Sequence, residues 1–329
     1  MNLPDLMERF SGVRALVVGD LCLDRWCHYD PALAEASRET GIPRVGIIAT
    51  EVTPGAGGTV ANNLVALGAG RVAVLGAIGQ DGFGFELQRE LAERKIDYSL
   101  VVASKAVQTF TYTKLINSVT KVEDLPRCDF VNTRPLPADV ENQLIANFNA
   151  HFHEFDVILV SDQAETESGG VVTDWLRGLI GDVAERYPQK LIVADSRVRI
   201  ELFRNVVAKP NYEEAAAACR RAFGFVDFQR LRALIGSRPL LVTQGARGVL
   251  LVDNHGERLV PSENISNPVD ICGAGDSFAA GLALALRASG DFPTAIRFGN
   301  LVSSITIMKR GTGTAAPHEV LAKAAVHLS

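Results

Sequence analysis

The chain has 329 residues, 47% hydrophobic and 22% charged, which gives it material for a sizeable core and excludes wholesale disorder. A net charge of −5 and a pI near 5.8 argue against a nucleic-acid or anionic-membrane surface, so any anionic ligand needs a local positive site. Cys22, Cys27, Cys128, Cys219 and Cys272 are scattered without a CxxC pair, which reads as reduced thiols of a cytoplasmic protein and not as a disulfide frame or zinc site.

The first residues, MNLPDLMERFSG, carry acidic groups and no apolar stretch of signal-peptide type, and no apolar run approaches the ~20 residues that cross a bilayer. RALVVGD (14–20) is a short apolar run ended by Gly-Asp, as in a buried parallel strand. Residues 21–53 read as polar and irregular, with Pro31 and Pro43 and a short strand-like VGIIAT. PGAGGTVANN (54–63) leads into a helical NLVALGA, then a strand, RVAVLGAIG (71–79). DGFGFELQRELAERK is an amphipathic helix with a Glu90/Arg94 pair. VQTFTYTKLIN (107–117) suits a solvated strand, and 119–137, with three prolines, a loop.

Beyond that point the chain alternates. DVILVSD (156–162), LIVADS (191–196), PLLVTQG (239–245) and GVLLVD (248–253) are strands. A segment ending near Arg186, NYEEAAAACRRAF, DSFAAGLALALRA and FPTAIRFGNLVSSITIMK are helices. This alternation predicts a mostly parallel sheet covered on both faces. His151 and His153 have no Cys/His cluster near them and read as surface residues.

The chemistry gathers in DICGAGDSFAAG. In a parallel sheet, ligands bind beyond the carboxyl ends of the strands, at helix N-termini whose first amides lack partners. Glycines let a phosphate approach that backbone, so Gly273, Ala274 and Gly275 form a candidate anion cradle. Asp276 beside it is a candidate base for an attacking hydroxyl, the arrangement that phosphoryl transfer requires. Taken alone, GAGD is better read as an aspartate cap after a glycine turn. GAGRVA (68–73) matches G-x-G-x-x-A but precedes a strand, and no G-x-x-x-x-G-K-[ST] is present.

VVGDLCLDR, PGAGG, GQDGFG, KPNYEE, TQGARGV and DICGAGDSFAAG occur in that order, and with them the chain resembles the PfkB (ribokinase-like) carbohydrate kinase family over nearly its whole length. Within it VVGDLCLDRW, Ser37-x-Glu39 with Pro43, Thr113-Lys114 and LVSD ending at Asp162 are similar to the heptose-phosphate kinases. The resemblance implies one three-layer α/β/α domain over 1–329, with a small β lid from about 24–52 and 107–133. It implies ATP, Mg²⁺ and a K⁺ site as cofactors, and a sugar or sugar phosphate as acceptor.

Carried over by residue, the resemblance makes Asp276 the general base and the amides of Gly273, Ala274, Gly275 and Asp276 the anion hole. Asn211 and Glu214 hold Mg²⁺ through water, and Asp270 matches the K⁺ position. Thr243, Gly245, Gly248 and Asn300 go to the nucleotide; Asp24, Gly57, Gly58, Thr59, Lys114 and Asp162 go to the acceptor. By themselves, Asn211 and Glu214 also read as a helix start, and TQGARGV as a hairpin. There are departures. Thr59 stands where the family has asparagine, Glu165 where the heptose-phosphate kinases have lysine, and Ile271-Cys272 where D-[TV]-[TC] is usual. A distal phosphate would need cations from Arg25, Arg38, Arg44 and Lys114. A homodimer through the lid is expected, because a small β appendage exposes edges. Two alternatives stay open: a nucleoside kinase stacking a base on Trp26, Phe110 or Tyr112, and a catalytically silent sugar-binding protein.

Overall fold

The structure, a computed structural model, describes residues 2–164, 166 and 168–326. Strand β1 (Arg14–Gly19) follows a short helix α1 (Leu3–Glu8), and its residues Ala15 to Val18 are completely buried. Such a run needs cover on both faces of its sheet. Ala15 and Val17 enter one core while Leu16 and Val18 enter the other.

The chain then forms β2 (Leu21–Tyr29), β3 (Ile47–Ala56), α2 (Gly57–Ala66), β4 (Arg71–Leu75), β5 (Ala77–Gly79) and α3 (Gly82–Glu93). Next come β6 (Val102–Ser104), β7 (Phe110–Asn117), β8 (Cys128–Phe130) and α4 (Ala138–His151). A regular alternation follows through β9 (Val157–Asp162), α5 (Asp174–Arg186), β10 (Leu191–Ser196), β11 (Val207–Ala208), α6 (Tyr212–Phe223) and α7 (Phe228–Ile235). Strands β12 (Leu240–Thr243), β13 (Val249–Asp253) and β14 (Gly256–Val260) and helices α8 (Ala274–Ser289), α9 (Phe292–Thr306) and α10 (Pro317–Val326) complete it.

The main sheet has the order β14-β13-β12-β11-β10-β9-β1-β4. It is parallel from β4 to β12 and antiparallel at β13 and β14. Helices α2, α8 and α9 pack on one face, α4 to α7 on the other, so the mostly parallel three-layer sheet expected from the alternation is present. The carboxyl ends of β1, β9, β10 and β12 open on one side, where a parallel sheet offers a ligand site.

A second sheet, ordered β3-β2-β7-β8, stands over that side. Its core strand β2 was read as irregular because LCLDRWCHY alternates imperfectly. Leu21, Leu23 and Cys27 fill the buried face, while Asp24, Trp26 and His28 occupy the other. Polar residues aimed at a cavity thus disguise a period-2 strand. Likewise β8 lies within 119–137, read as loop, and RVAVLGAIG is split between β4 in the main sheet and β5, which pairs with β6. Among the described residues no helix is long and apolar enough to cross a membrane.

Candidate active site

Asp276 sits in the first turn of α8, a helix buried from Ser277 to Leu286 because its Ala/Leu-rich sequence packs on α9 and α2. The Ser277 hydroxyl lies 2.8 Å from that of Thr306, tying the helix start to α9. Gly273 caps the helix in the left-handed region, at φ +74, and supplies no side chain to the first amides. The first intrahelical bond is Ser277 N–H to the Gly273 carbonyl, at 2.9 Å. The amides of Gly275 and Asp276 therefore point outward without a helical acceptor, at the positive end of the dipole.

Beneath this turn lies Lys209, which is 3% exposed and pairs with Asp195 at 2.8 Å. A side chain on Gly275 would start 3.8 Å from the Lys209 ammonium. Burial pushes that ammonium toward neutrality, but Asp195 overrides it and its pKa is raised. Burial raises the Asp276 carboxyl to about 7, helped by Asp195 and opposed by Lys209. It titrates near neutrality, where a general base works best.

Asp276 opens into a cavity of about 180 Å³ with Thr59, Cys272, Gly273, Gln163 and Arg197 on the body side. The opposite wall is the second sheet. Register pairs Asp24 with Tyr112 and Trp26 with Lys114, so all four share the cavity face, and Arg127 joins them. Burial raises the Asp24 carboxyl to about 6, countered by the Cys22 thiol and by Lys114 and Arg127. Arg127 pairs with Asp129 at 2.7 Å and lies 5.0 Å over the Tyr112 ring. Lys114 stands 3.9 Å from Glu123, a loose ion pair.

Of the acceptor residues inferred from sequence, Asp24, Thr59 and Lys114 thus come together with Gly273 and Asp276. Gly57 and Gly58 are buried in the first turn of α2, just before Thr59. Asp162 is not brought into the cavity: its carboxylate is fully buried and occupied by Arg199, at 2.7 Å, and the Ser196 hydroxyl, at 2.6 Å. The expected cations also differ. Strand alternation turns Arg25 to the far face, where it stacks 4.5 Å over Phe83, Arg44 pairs with Glu35, and Arg38 is exposed outside the cavity. Glu165 lies outside the described residues.

On the neighbouring strand ends, Asn211 and Glu214 form a reciprocal capping box at the start of α6, at 2.9 and 2.8 Å. One Glu214 oxygen is left over, and burial with Asp195 nearby raises this carboxyl's pKa. Thr243 bridges to Asn211, and the turn through Gly245 and Gly248 lies beside Ser262, whose hydroxyl bonds the Ala246 carbonyl at 2.8 Å. Asn300 reaches the adjacent Pro261 carbonyl at 3.4 Å, away from the cavity. Asp270 stands behind the anion cradle, accepting the amides of Cys272 at 2.9 Å and Gly311 at 3.1 Å.

Sequence reading missed Lys209, Asp195 and Arg127. The signal for the first two was a lysine closing the apolar run VVAK, which a buried strand end tolerates only with a carboxylate partner. Arg127 was hidden in a segment taken for loop. No group of three or more His, Cys, Asp or Glu among the described residues is placed to hold a metal.

Comparison with known proteins adds a lineage to this geometry. Residues 27–319 match the family described as pfkB family carbohydrate kinase. Bifunctional protein HldE of Rhodopseudomonas palustris strain HaA2 is 28% identical over 334 residues, covering 100% of this chain and 66% of that protein. The protein of the same name in Nitrobacter winogradskyi is 30% identical over 93% of this chain and 62% of its own length. The chain therefore spans slightly less than two thirds of these curated relatives. Ribokinase of Thermotoga maritima superposes with a TM-score of 0.69 at 20% identity, covering 95% of this chain and 99% of that one. Phosphofructokinase-2 of Escherichia coli, solved in complex with potassium, gives 0.70 at 18% identity, over 96% and 100%.

Proposed function

The chain belongs to the pfkB family of carbohydrate kinases, and from that premise we propose that it moves the γ-phosphate of ATP to a hydroxyl of a sugar phosphate, with Asp276 as base. The observation that carries this reading is the cavity itself, with a near-neutral carboxyl and two unpaired helix amides on one wall and Asp24, Lys114 and Arg127 on the other. The acceptor hydroxyl gives its proton to Asp276 as its oxygen attacks the γ-phosphorus and ADP leaves. The Gly275 and Asp276 amides and the Lys209 ammonium meet the charge on the migrating group. Asp24 orients the sugar, while Lys114 and Arg127 take its phosphate, which makes a heptose-7-phosphate type of acceptor the preferred class.

The cavity carries Lys114 and Arg127 beside Asp24, which favours a phosphorylated acceptor over an uncharged nucleoside. A silent binder has no use for the Asp276–Lys209–Asp195 arrangement. ADP release across sugars, sugar phosphates and nucleosides tests the reading, and turnover restricted to nucleosides, or none at all, overturns it. We place the enzyme in the cytoplasm, in keeping with five free cysteines.

Mg²⁺ suits the remaining oxygen of Glu214, since that ion keeps several waters and needs only one or two carboxylates beside the phosphates. Bound there, it would neutralise phosphate charge. Glu214→Gln keeps the capping box, because the amide oxygen still accepts. It is expected to raise the Mg²⁺ concentration for half-maximal rate, and an unchanged requirement would reduce Glu214 to a helix cap.

K⁺ beside Asp270 would order the loop ahead of the anion cradle; the potassium complex of the Escherichia coli enzyme and the position of Asp270 support the idea. A higher rate in K⁺ than in a bulky organic cation is the expected result, and equal rates reject it. The second sheet also supports a dimer. Its edge strand β3 and the loop after β7 expose Ile48 and Val122, more than half accessible, and a partner's sheet would cover such an edge. Light scattering at micromolar concentration is expected to give twice the 35.3 kDa chain mass; a monomer refutes it.

A further inference from the structure

One segment, 307–314, ties the second sheet to the anion cradle. On the sheet side, the Thr53 hydroxyl of β3 meets the Thr312 hydroxyl at 3.0 Å. The Trp26 indole lies against Gly311, which adopts φ +66, and a side chain there would start 3.1 Å from the ring. On the other side, Gly311 N–H bonds Asp270, whose second oxygen holds Cys272 N–H. The Thr312 methyl lies 3.3 Å from where a Gly273 side chain would start. Backbone bonds from Val269 and Asp270 to the Ile307 carbonyl, at 2.9 and 3.1 Å, complete the tie. Lys309 anchors the segment, donating to the Thr314 carbonyl at its far end at 2.6 Å and pairing with Glu319 of α10 at 2.7 Å.

Trp26, Thr312 and Gly273 all line the cavity that takes the acceptor. We propose that Thr312 is a positioning residue: with Thr53 and Trp26 it forms a latch that joins the acceptor-binding sheet to the turn presenting the Gly275 and Asp276 amides, the Ala274 amide being held by the Ile271 carbonyl at 3.2 Å. The latch, fully made in this structure, holds Gly311, Asp270 and Cys272 in the arrangement that aims those amides, so an acceptor under Trp26 rests on the same tie that fixes the cradle. The acceptor's wall thereby keeps the anion cradle preorganised for the phosphoryl group. The inference rests on the sugar-kinase reading and adds to it a coupling between the two halves of the site.

The chain has two tryptophans, and Trp175 on α5 is 75% exposed, outside the cavity. A Trp175→Phe background therefore leaves Trp26 as the only indole reporter. In it, Thr312→Val keeps the shape and removes the hydroxyl pair, as does Thr53→Val. Each is expected to raise the acceptor KM and lower kcat, about 3–10-fold in kcat/KM as for one lost hydrogen bond, with the KM for ATP unchanged. The double variant is expected to be no worse than either single one, because they break the same contact. The fluorescence change of Trp26 on adding the acceptor is expected to shrink in parallel.

Additive losses, an equal change in the KM for ATP, or an acceptor KM and Trp26 signal that do not move overturn the latch. So does a loss confined to thermal stability. Failure of the kinase reading looks different, since the Trp175→Phe parent would then release no ADP with any sugar.

Discussion

Asp276→Asn is expected to lower kcat by roughly 10²–10⁴-fold, the usual worth of a general base, with nucleotide affinity retained. The near-isosteric amide keeps the helix start but cannot take the acceptor's proton. The parent's kcat/KM should rise with pH through about 7, as the carboxyl gives up its proton, and that limb should vanish in the variant. Lys209 lowers the Asp276 pKa, so Lys209→Met should move the parent's limb to higher pH besides slowing the reaction. The same shift bears on stability. A carboxyl with pKa about 7 folded and near 3.9 unfolded binds its proton more tightly when folded, so its contribution is most favourable below pH 4 and is lost as pH rises through 7. The variant should melt above the parent at pH 8, and the gap should close toward pH 4. Near-normal turnover in Asp276→Asn would remove it from the mechanism.

The second large effect concerns the acceptor. Each charge-assisted contact to a phosphate is worth about 1.5–3 kcal/mol, so Lys114→Ala or Arg127→Ala should cost roughly 10–10²-fold in kcat/KM for a sugar phosphate. The matched neutral sugar, which makes neither contact, should lose far less, feeling the change only through Asp24, whose pKa both cations lower. Arg127 is the more demanding test, because its place over Tyr112 and its pairing with Asp129 orient the guanidinium in advance. Arg127→Lys keeps the charge and loses the fork, and should recover only part of the discrimination. If the neutral sugar is the better substrate and Lys114→Ala leaves its rate alone, the phosphate subsite does not exist.

The body of the fold was readable because its strands are buried on both faces. LIVADS and DVILVSD are continuous apolar runs whose helices bring a clear 3.6 periodicity, and physics allows such segments little else. The acceptor half was harder for the same physical reason that it is functional. β2 and β7 give one face to the core and the other to a polar cavity, so Asp24, His28 and Lys114 interrupt the apolar pattern. Arg25, Arg38 and Arg44 looked as eligible as Lys114 in sequence; the pleat separates Arg25 from Trp26, while Arg38 and Arg44 fall in the connection between β2 and β3. Asp276 could be found from its glycines. The lysine ending VVAK asks for a carboxylate partner, but that the partner is Asp195 could not be read, since the pairing joins β10 to the end of β11 and no local spacing records it.

The parallel pairing of β2 with β7 brings together residues far apart in the chain, as in the bond between Tyr29 and Asn117, 88 positions away. The intervening length includes β4, β5 and α3, which pack against the main body. Closing so long a loop costs entropy before any contact rewards it, so this pairing waits until the intervening chain is in place. The opposite wall closes still longer loops, since β1 pairs with β9 and α8 packs on α2, so neither wall of the site is complete until most of the chain is in place. The two walls of the cavity, which draw on residues from Asp24 to Thr312, are thus not separate units that could fold alone.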